Sequence, residues 1–271
     1  MNKYISIFFC VQIIALNLFA MQPKVTPVDY VRPQIDTHKS RWFFFSSASR
    51  PFGMVSLSPD TWTEGSWNSG YLYNSKEIRC FSHVHCWQLA GVPVMPTTGE
   101  VKGHKGMDAY KSTYSHETEI VKPGYHKVEL DTYQIRVELT STSRVGMHRY
   151  TYPAGEKANV LFDVGALLAH GKTEKAAIHR ISSKEIGGYS VLAPTSRRKK
   201  PVTVYFVARF NQNMTAFGGW EKEGKEKKLV HKNSIEGADI GGYASFGKLK
   251  KQTLLMKVGR SEERRVGKEC R

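Results

Sequence analysis

The feature that most constrains the fold is a long succession of short runs rich in β-branched and aromatic residues, separated by turn-forming residues. Most runs alternate apolar and polar residues, as half-buried strands do, and one of the longest reads VTVYFVARF. No segment shows three clean turns of helical periodicity, and residues 164–170 would form one or two turns at most. Strands are expected at residues 54–57, 71–73, 127–130, 134–140, 145–152, 160–163, 176–182, 188–192, 202–210, 242–246 and 253–258. Many short strands at this spacing predict an all-β fold, a large antiparallel β-sandwich of the supersandwich kind.

The two ends of the chain differ from this β-rich part. Residues 1–20 combine Lys3, an interrupted apolar stretch and a small residue at Ala20, which predicts a cleaved secretory signal rather than a membrane span. Residues 260–271 lose the alternation and are similar to an adapter-derived peptide, so we expect a truncation artefact and a natural chain that continues past Gly259. The prediction is one β-sandwich domain over residues 21–259 of an exported protein that is periplasmic, at the cell surface or secreted, without a membrane span after signal cleavage.

The net charge of +16 raises the question of nucleic-acid binding. The basic residues are scattered apart from two runs, at residues 197–200 and 222–232. Both runs stand among Pro, Gly and Ser, as solvated loops do, and an exported protein rarely meets nucleic acid. No nucleic-acid partner is therefore predicted.

Residues 79–100, RCFSHVHCWQLAGVPVMPTTGE, begin as an alternating strand. If the strand stays extended, one face holds Phe81, His83, His85 and Trp87. Cys80 and Cys86 then lie on the other face, about 20 Å apart, whereas a disulfide needs Cα atoms within about 7 Å. The same alternation separates the cysteines from the histidines, which argues against a zinc site. The sequence predicts free thiols and a face that either packs in the core or binds a ligand.

A second group of aromatic residues stands among Gly, Asn, Ser and Thr, just before that strand. It consists of Trp62, Trp67, Tyr71 and Tyr73. Flat rings beside amides suit a pyranose, whose C–H face packs on an indole while its hydroxyls bond to amides. Sugar binding and aromatic core packing both remain open on these residues. Pro59 and Asp60 are expected to form a type I turn that ends a short strand.

Several motifs follow one another in fixed order: PFGMVSLSPDT, WNSGYLY and CFSHVHCWQLAGVPVMPTTGEV, then KPGYHKVEL, VELTSTSRVGMHRYTYP, APTSRR and VYFVARF, ending near Gly259. Together they resemble the N-terminal domain of glycoside hydrolase family 92. The resemblance thus covers essentially the whole mature chain. One segment departs from it, because RWFFFSSASR stands where many members have a Gly-rich stretch before PFGM.

The resemblance implies a two-domain, calcium-dependent exo-α-mannosidase that acts on mannose-containing glycans with inversion. In this family a β-sandwich precedes an (α/α)6-barrel domain, and the active site lies between them. The general acid, the general base and most calcium ligands belong to the helical domain. We therefore expect no catalytic residue and no metal ligand in this chain, which would be inactive alone. A free-standing carbohydrate-binding module is the alternative.

The same resemblance directs the choice of substrate-binding residues. Trp87 is the leading candidate, since a tryptophan from this region contacts the sugar on the leaving-group side. The other candidates are Gln88, His85, Trp67, Asn68 and Trp62. His83 and His85 would contact sugar or be satisfied structural histidines. Asp60, as a turn residue, and Asp163, at the end of a strand, are not expected to act as acid or base.

Overall fold

The computed structural model describes residues 25–38, 47–63, 70–86, 89–166, 172–196 and 198–261. The chain divides into two compact units, Met1–Val31 and Arg32–Arg271. In the described part of the first unit, a 3₁₀ helix η1 (Pro27–Tyr30) follows its N-cap Thr26, whose backbone N–H donates to Asp29 Oδ2 at 2.7 Å. None of the described helices is long and apolar enough to cross a membrane.

The second unit is built almost entirely of strands. In chain order they are β1 (Ser58–Asp60), β2 (Glu77–Ile78), β3 (Cys80–Ser82), β4 (Val84–Cys86), β5 (Leu89–Gly91), β6 (Val94–Thr98), β7 (Ser112–Thr113), β8 (Ile120–Lys122), β9 (Tyr125–Leu130), β10 (Ile135–Ser141), β11 (Val145–Thr151), β12 (Lys157–Phe162), β13 (Thr173–Arg180), β14 (Glu185–Leu192), β15 (Val202–Phe210), β16 (Ala216–Glu223), β17 (Glu226–Val230), β18 (Ser234–Gly237), β19 (Gly241–Lys248) and β20 (Thr253–Ser261). A short 3₁₀ helix η2 (Gly103–Lys105) and one helical turn α1 (Met107–Tyr110) lie between β6 and β7.

The described strands form two large antiparallel sheets and two small ladders. The seven-stranded sheet has the order β1-β3-β6-β12-β19-β16-β17, and the nine-stranded sheet has the order β18-β13-β14-β15-β20-β11-β10-β9-β8. The ladders pair β2 with β7 and β4 with β5. Hairpins with tight turns connect many neighbours, and Gly224, at φ +64°, supplies the left-handed residue between β16 and β17.

Alternating burial explains why these runs become strands. In β10 every second side chain is buried, so Val137 and Leu139 enter the core while Glu138 faces outward. Glu138 there accepts hydrogen bonds from Arg149 on the neighbouring strand, at 2.6 and 2.7 Å. One face of the sheet thus stays solvated, as is usual for antiparallel sheets.

The core lies between the two large sheets. Phe162 on β12 stacks on Phe206 of β15 with ring centroids 6.0 Å apart, and Phe210 meets Phe246 of β19 edge to face at 4.8 Å. All four rings are buried, and burying each contributes about 1.5–3 kcal/mol. The predicted all-β sandwich is therefore confirmed.

Some of the strands predicted from the sequence are confirmed and others are not. The later runs are strands, including residues 127–130, 202–210 and 253–258. Residues 54–57 and 71–73 are not strands, because their backbone groups bond to loop partners such as Ser143 and Thr37. Strand β20 reaches Ser261, so the boundary expected at Gly259 falls inside a strand. Most of the turn expected at 164–170 lies outside the described residues.

Candidate functional site

A buried carboxylate, Asp60, stands at the end of β1 and gathers donors from the segment that follows β2. It is 2% exposed and accepts hydrogen bonds from Ser82 Oγ, from Cys80 Sγ at 3.4 Å and from His85 Nε2 at 2.8 Å. The expectation that Asp60 forms a turn is wrong, because it is the last residue of a strand paired with Cys80. Its role is to hold β3 and β4 against β1.

The two-faced strand expected at residues 80–87 is also wrong. The chain leaves β3 after Ser82, bends at His83 and starts β4 at Val84, so the alternation is reset. Cys80 and His85, placed on opposite faces by sequence alone, therefore reach the same carboxylate of Asp60. Cys80 is a free thiol, and burial raises its pKa well above the usual value.

His85 carries a positive charge in this arrangement. Its Nδ1 lies 2.6 Å from the carbonyl oxygen of Ser56 and its Nε2 lies 2.8 Å from Asp60 Oδ1, so both nitrogens face acceptors and both donate. Burial alone would lower the pKa of His85, but the charge of Asp60 and the two hydrogen bonds outweigh it and the pKa is raised. His85 is thus an imidazolium whose ring nitrogens are both occupied by protein acceptors.

The buried pair lies directly under the point where the Trp62 loop closes. The backbone N–H of Trp62 donates to Gly70 O at 3.0 Å, and Gly70 N–H donates back to Trp62 O at 2.7 Å. Gly70 has φ +107°, and a Cβ there would lie 3.6 Å from His85 Cδ2. Trp62 is 36% exposed, so part of this residue faces solvent at this edge.

Two of the six sugar-binding residues predicted from the sequence lie among the described residues. Trp62 and His85 lie close together around Gly70, as described above. The remaining four candidates, Trp67, Asn68, Trp87 and Gln88, lie outside the described residues. Chain connectivity nevertheless places Trp87 two residues after His85.

His83 belongs to a second buried chain of hydrogen bonds. Its Nδ1 donates to Val92 O at 2.8 Å, its Nε2 accepts from His148 Nε2 at 2.8 Å, and Tyr150 OH donates to His148 Nδ1 at 2.8 Å. Burial lowers the pKa of His83 to about 4 and the pKa of His148 well below its usual value. Both rings are therefore neutral, and the structural alternative for His83 is confirmed.

Sequence reasoning missed a third polar cluster, centred on Glu119. Its side chain is 2% exposed and accepts from Tyr71 OH at 2.9 Å and Gln34 Nε2 at 3.2 Å, while His116 and His126 approach at 2.6 and 2.9 Å. Burial would raise the pKa of Glu119, but the two histidines and Tyr71 lower it. Tyr71 and Gln34 are 48 and 85 residues away from Glu119, so the local sequence does not reveal the whole cluster.

The aromatic group around Trp62 thus divides into two kinds. Tyr71 is buried and bonded to Glu119, and Tyr73 stacks on His116 with centroids 4.0 Å apart. Tyr71 serves internal packing, whereas Trp62 and Tyr73 are partly exposed, at 36% and 39%.

Asp163 directly follows β12 and lines an open cleft of about 410 Å³. Tyr110 OH donates to its Oδ2 at 2.7 Å, and burial raises the pKa of Asp163 to about 6. Across the described ranges, no group of three or more His, Cys, Asp or Glu side chains has an arrangement that could hold a metal ion.

Comparisons with known proteins agree with this architecture. The family model of the glycosyl hydrolase family 92 N-terminal domain matches residues 30–261. The family GH92 α-mannosidase BT3965 of Bacteroides thetaiotaomicron superimposes with a TM-score of 0.77 and 27% identity over 89% of this chain and 34% of that one. Its complex with mannoimidazole gives a TM-score of 0.74 and 28% identity over 87% and 32% of the respective chains.

The family GH92 inverting mannosidase BT2199 of the same organism shares the fold at 21% identity, with a TM-score of 0.72 over 89% of this chain and 32% of that one. The chain therefore spans about a third of the length of these solved relatives. A search of curated proteins found no match. With a sandwich of the same fold and a family match over nearly all of its described residues, the chain belongs to glycosyl hydrolase family 92, of which it carries the N-terminal domain.

Proposed function

We propose that this chain is the N-terminal part of an exported α-mannosidase that removes terminal α-mannose from glycans with inversion. The observation that carries the proposal is the similarity to BT3965, an α-mannosidase, at 27–28% identity over nearly nine-tenths of this chain. In the proposal the sandwich shapes the leaving-group side of the sugar pocket and packs on a helical catalytic domain. Export rests on residues 1–20, which lie outside the described residues.

The sugar contacts are proposed for aromatic and amide side chains at one end of the sandwich. Trp62 has the exposed ring that packing on a pyranose requires, and Trp87 and Gln88 follow His85 closely in the chain. Trp67 and Asn68 complete the set. His85 supports these residues from below, since Ser56 and Asp60 occupy both of its nitrogens.

The catalytic carboxyl groups are proposed to belong to the helical domain. Inversion requires two carboxyl groups about 6.5–9.5 Å apart, one as general acid and one as general base. The buried acids Asp60 and Glu119 are instead surrounded by donors that fix them as structural carboxylates. Neither is available to exchange protons with a substrate.

Calcium, which the family implies, does not fit the residues described here. Calcium takes six to eight oxygen ligands, and carboxylates supply several of them. Asp60 faces Cys80, Ser82 and His85, and Glu119 faces two histidines, so both carboxylates are committed to donors rather than grouped together. We therefore assign the ion to the helical domain.

Kinetics of the extended protein test the proposed binding role. The natural reading frame beyond Ser261 is expressed with and without the substitution Trp87→Ala and assayed on α-linked mannobiose, with and without chelator. We expect activity that the chelator removes, and a rise in KM of about 10-fold in the variant, equivalent to about 1.4 kcal/mol of lost binding. Unchanged kinetic constants in Trp87→Ala would reject this contact.

A free-standing carbohydrate-binding module is the second candidate, favoured by the exposed ring of Trp62. It predicts that this chain alone binds mannose oligosaccharides through Trp62 and Trp87. Calorimetric titration with mannotriose distinguishes the two functions: affinity abolished by Trp87→Ala supports the module, and no heat of binding at that site supports the enzyme domain.

A further inference from the structure

The turn RPFG at residues 50–53 presents an aromatic side chain to solvent. Phe52 is fully exposed, more so than any other large apolar residue that the structure describes. It also has φ +58°, in the left-handed region that bulky residues rarely adopt. With Pro51 before it and Gly53 N–H donating to Arg50 O at 3.0 Å, the four residues have the pattern of a type II turn, whose third position favours Gly or Asn. Phe52 is therefore unfavourable both for the backbone and for the exposed surface of the sandwich.

Hydrogen bonds hold this turn against the hairpin that joins β10 to β11. Met54 N–H donates to Ser143 O at 2.6 Å, and a Cβ at Gly53 would lie 3.6 Å from Ser143 Cα. Arg260 Nη1 donates to Met54 O at 2.7 Å. The ring of Phe52 is thus presented from a fixed backbone, and an aromatic ring on a fixed backbone is buried at a low cost in conformational entropy.

The same turn lies where β20 ends. Besides its bond to Met54, Arg260 donates its backbone N–H to Arg144 O at 3.3 Å, in the hairpin that carries the turn. A segment that continues from Ser261 would therefore start next to the Phe52 turn. Since this chain spans about a third of the length of its solved relatives, such a segment is large in those proteins.

The residues around Phe52 indicate the chemistry of a surface that could cover it. Arg50 in the same turn and Arg144 in the adjoining hairpin are both exposed. An apolar ring accompanied by guanidinium groups matches an apolar pocket with carboxylates at its rim, and aromatic residues and Arg are enriched at protein interfaces. Small-molecule sites are concave, whereas a fully exposed ring at the tip of a turn forms no concave site. A protein surface therefore fits Phe52 better than a free sugar does.

We propose that Phe52 anchors the sandwich to the helical domain, by inserting into an apolar pocket whose rim carries carboxylates for Arg50 and Arg144. The inference rests on the proposed function in one respect, that a helical domain continues from β20. It adds a residue that holds the two domains together and touches no substrate. Burial of the ring at this contact offsets the unfavourable conformation of residue 52.

Hydroxyl-radical footprinting, read by mass spectrometry, tests whether the ring is covered in the extended protein, which is this chain continued through its natural reading frame. We expect Phe52 to be oxidised about 10-fold more slowly in the extended protein than in this chain. Ile181 is the matched control, because it is 47% exposed and follows β13, three strand spacings from β20 in the nine-stranded sheet. Its oxidation rate should be the same in both proteins.

The variants Phe52→Ala and Phe52→Gly test whether the contact stabilises the extended protein. In this chain neither should lower the Tm by more than about 1 °C, since the ring is fully exposed and Gly adopts φ +58° readily. In the extended protein both should lower the Tm of the sandwich by at least about 2 °C, because a buried anchor is lost. Ile181→Ala should change the Tm equally in the two proteins.

Equal oxidation of Phe52 in both proteins, or equal effects of Phe52→Ala on both Tm values, would overturn the proposal. A dimer of this chain that Phe52→Ala dissociates would overturn it in favour of a second copy, and protection of Phe52 in this chain by mannotriose would overturn it in favour of a sugar. Hydrolysis of α-linked mannobiose by the extended protein is assayed separately. An inactive extended protein in which Phe52 is protected would reject the proposed mannosidase and support the anchor.

Discussion

Replacing Asp60 with Asn tests the claim that a buried ion pair organises the end of the sandwich that carries Trp62. The substitution keeps the shape of the side chain but removes the charge that faces His85 at 2.8 Å. Both side chains are at most 3% exposed, so the imidazolium would remain buried without its counter-charge. Removing one partner of a buried pair costs about 3–5 kcal/mol, and we expect a loss of that size in the free energy of unfolding at pH 6.

Urea unfolding followed by circular dichroism measures the loss, and a double-mutant cycle assigns it to the pair. Asp60→Asn, His85→Gln and the double variant are compared, with a coupling energy of about 2–3 kcal/mol expected. Glu138→Gln is the control, because its partner Arg149 is 55% exposed in the side chain and an exposed pair contributes about 0–1 kcal/mol.

The dependence of folding stability on pH gives a second check, because the raised pKa of His85 fixes the direction of the change. The pKa of folded His85 is raised, so its contribution is complete below the unfolded pKa near 6.5 and is lost as pH rises through the folded value. The gap between wild type and Asp60→Asn should therefore narrow at alkaline pH. A loss below about 1 kcal/mol at pH 6, or a coupling energy near zero, would show that Asp60 and His85 do not form a stabilising buried ion pair.

Three further predictions concern buried groups. Because the pKa of His83 is lowered to about 4, this group should lower the free energy of unfolding by up to about 3 kcal/mol as pH falls from 7 to 4. Urea unfolding at several pH values should show that this decrease is absent in His83→Gln. The pKa of Asp163 is instead raised to about 6, so the free energy of unfolding of the wild type should rise by up to about 3 kcal/mol relative to that of Asp163→Asn as pH falls from above 6 to below 4. The same pH dependence of stability in both proteins would contradict this. Gly146→Ala would put a Cβ 2.7 Å from His83 Cδ2 and should lower the free energy of unfolding by about 1–3 kcal/mol, whereas Gly91→Ala, whose nearest contacts are at 3.6 Å, should lower it less.

The fold was predictable where burial alternates along one strand. Strands such as β10, β15 and β20 alternate buried and more exposed residues within their own sequence, so they can be predicted without knowing which strands they pair with. The segment SPD of β1 has no such pattern, since all three residues are buried and their neighbours come from β3. Its strand state is a tertiary effect, which explains why Asp60 was expected in a turn.

The site was predictable only in part, for a similar reason. The alternation over residues 80–87 assumed one continuous strand, but His83 leaves it to bond with Val92 and His148. Glu119 likewise depends on partners 48 and 85 residues away, Tyr71 and Gln34. Long-range polar contacts of this kind leave no mark in a local pattern, whereas the family motifs correctly identified the family's N-terminal domain.

The proposal that the catalytic carboxyl groups belong to a helical domain is tested by comparing hydrolysis by two proteins, this chain alone and the same chain continued through its natural reading frame. Both are incubated with α-linked mannobiose, and the anomer first released is followed by ¹H NMR. We predict no turnover by this chain and release of β-mannose by the extended protein. Turnover by the chain alone would contradict the assignment of all catalytic carboxyl groups to the helical domain.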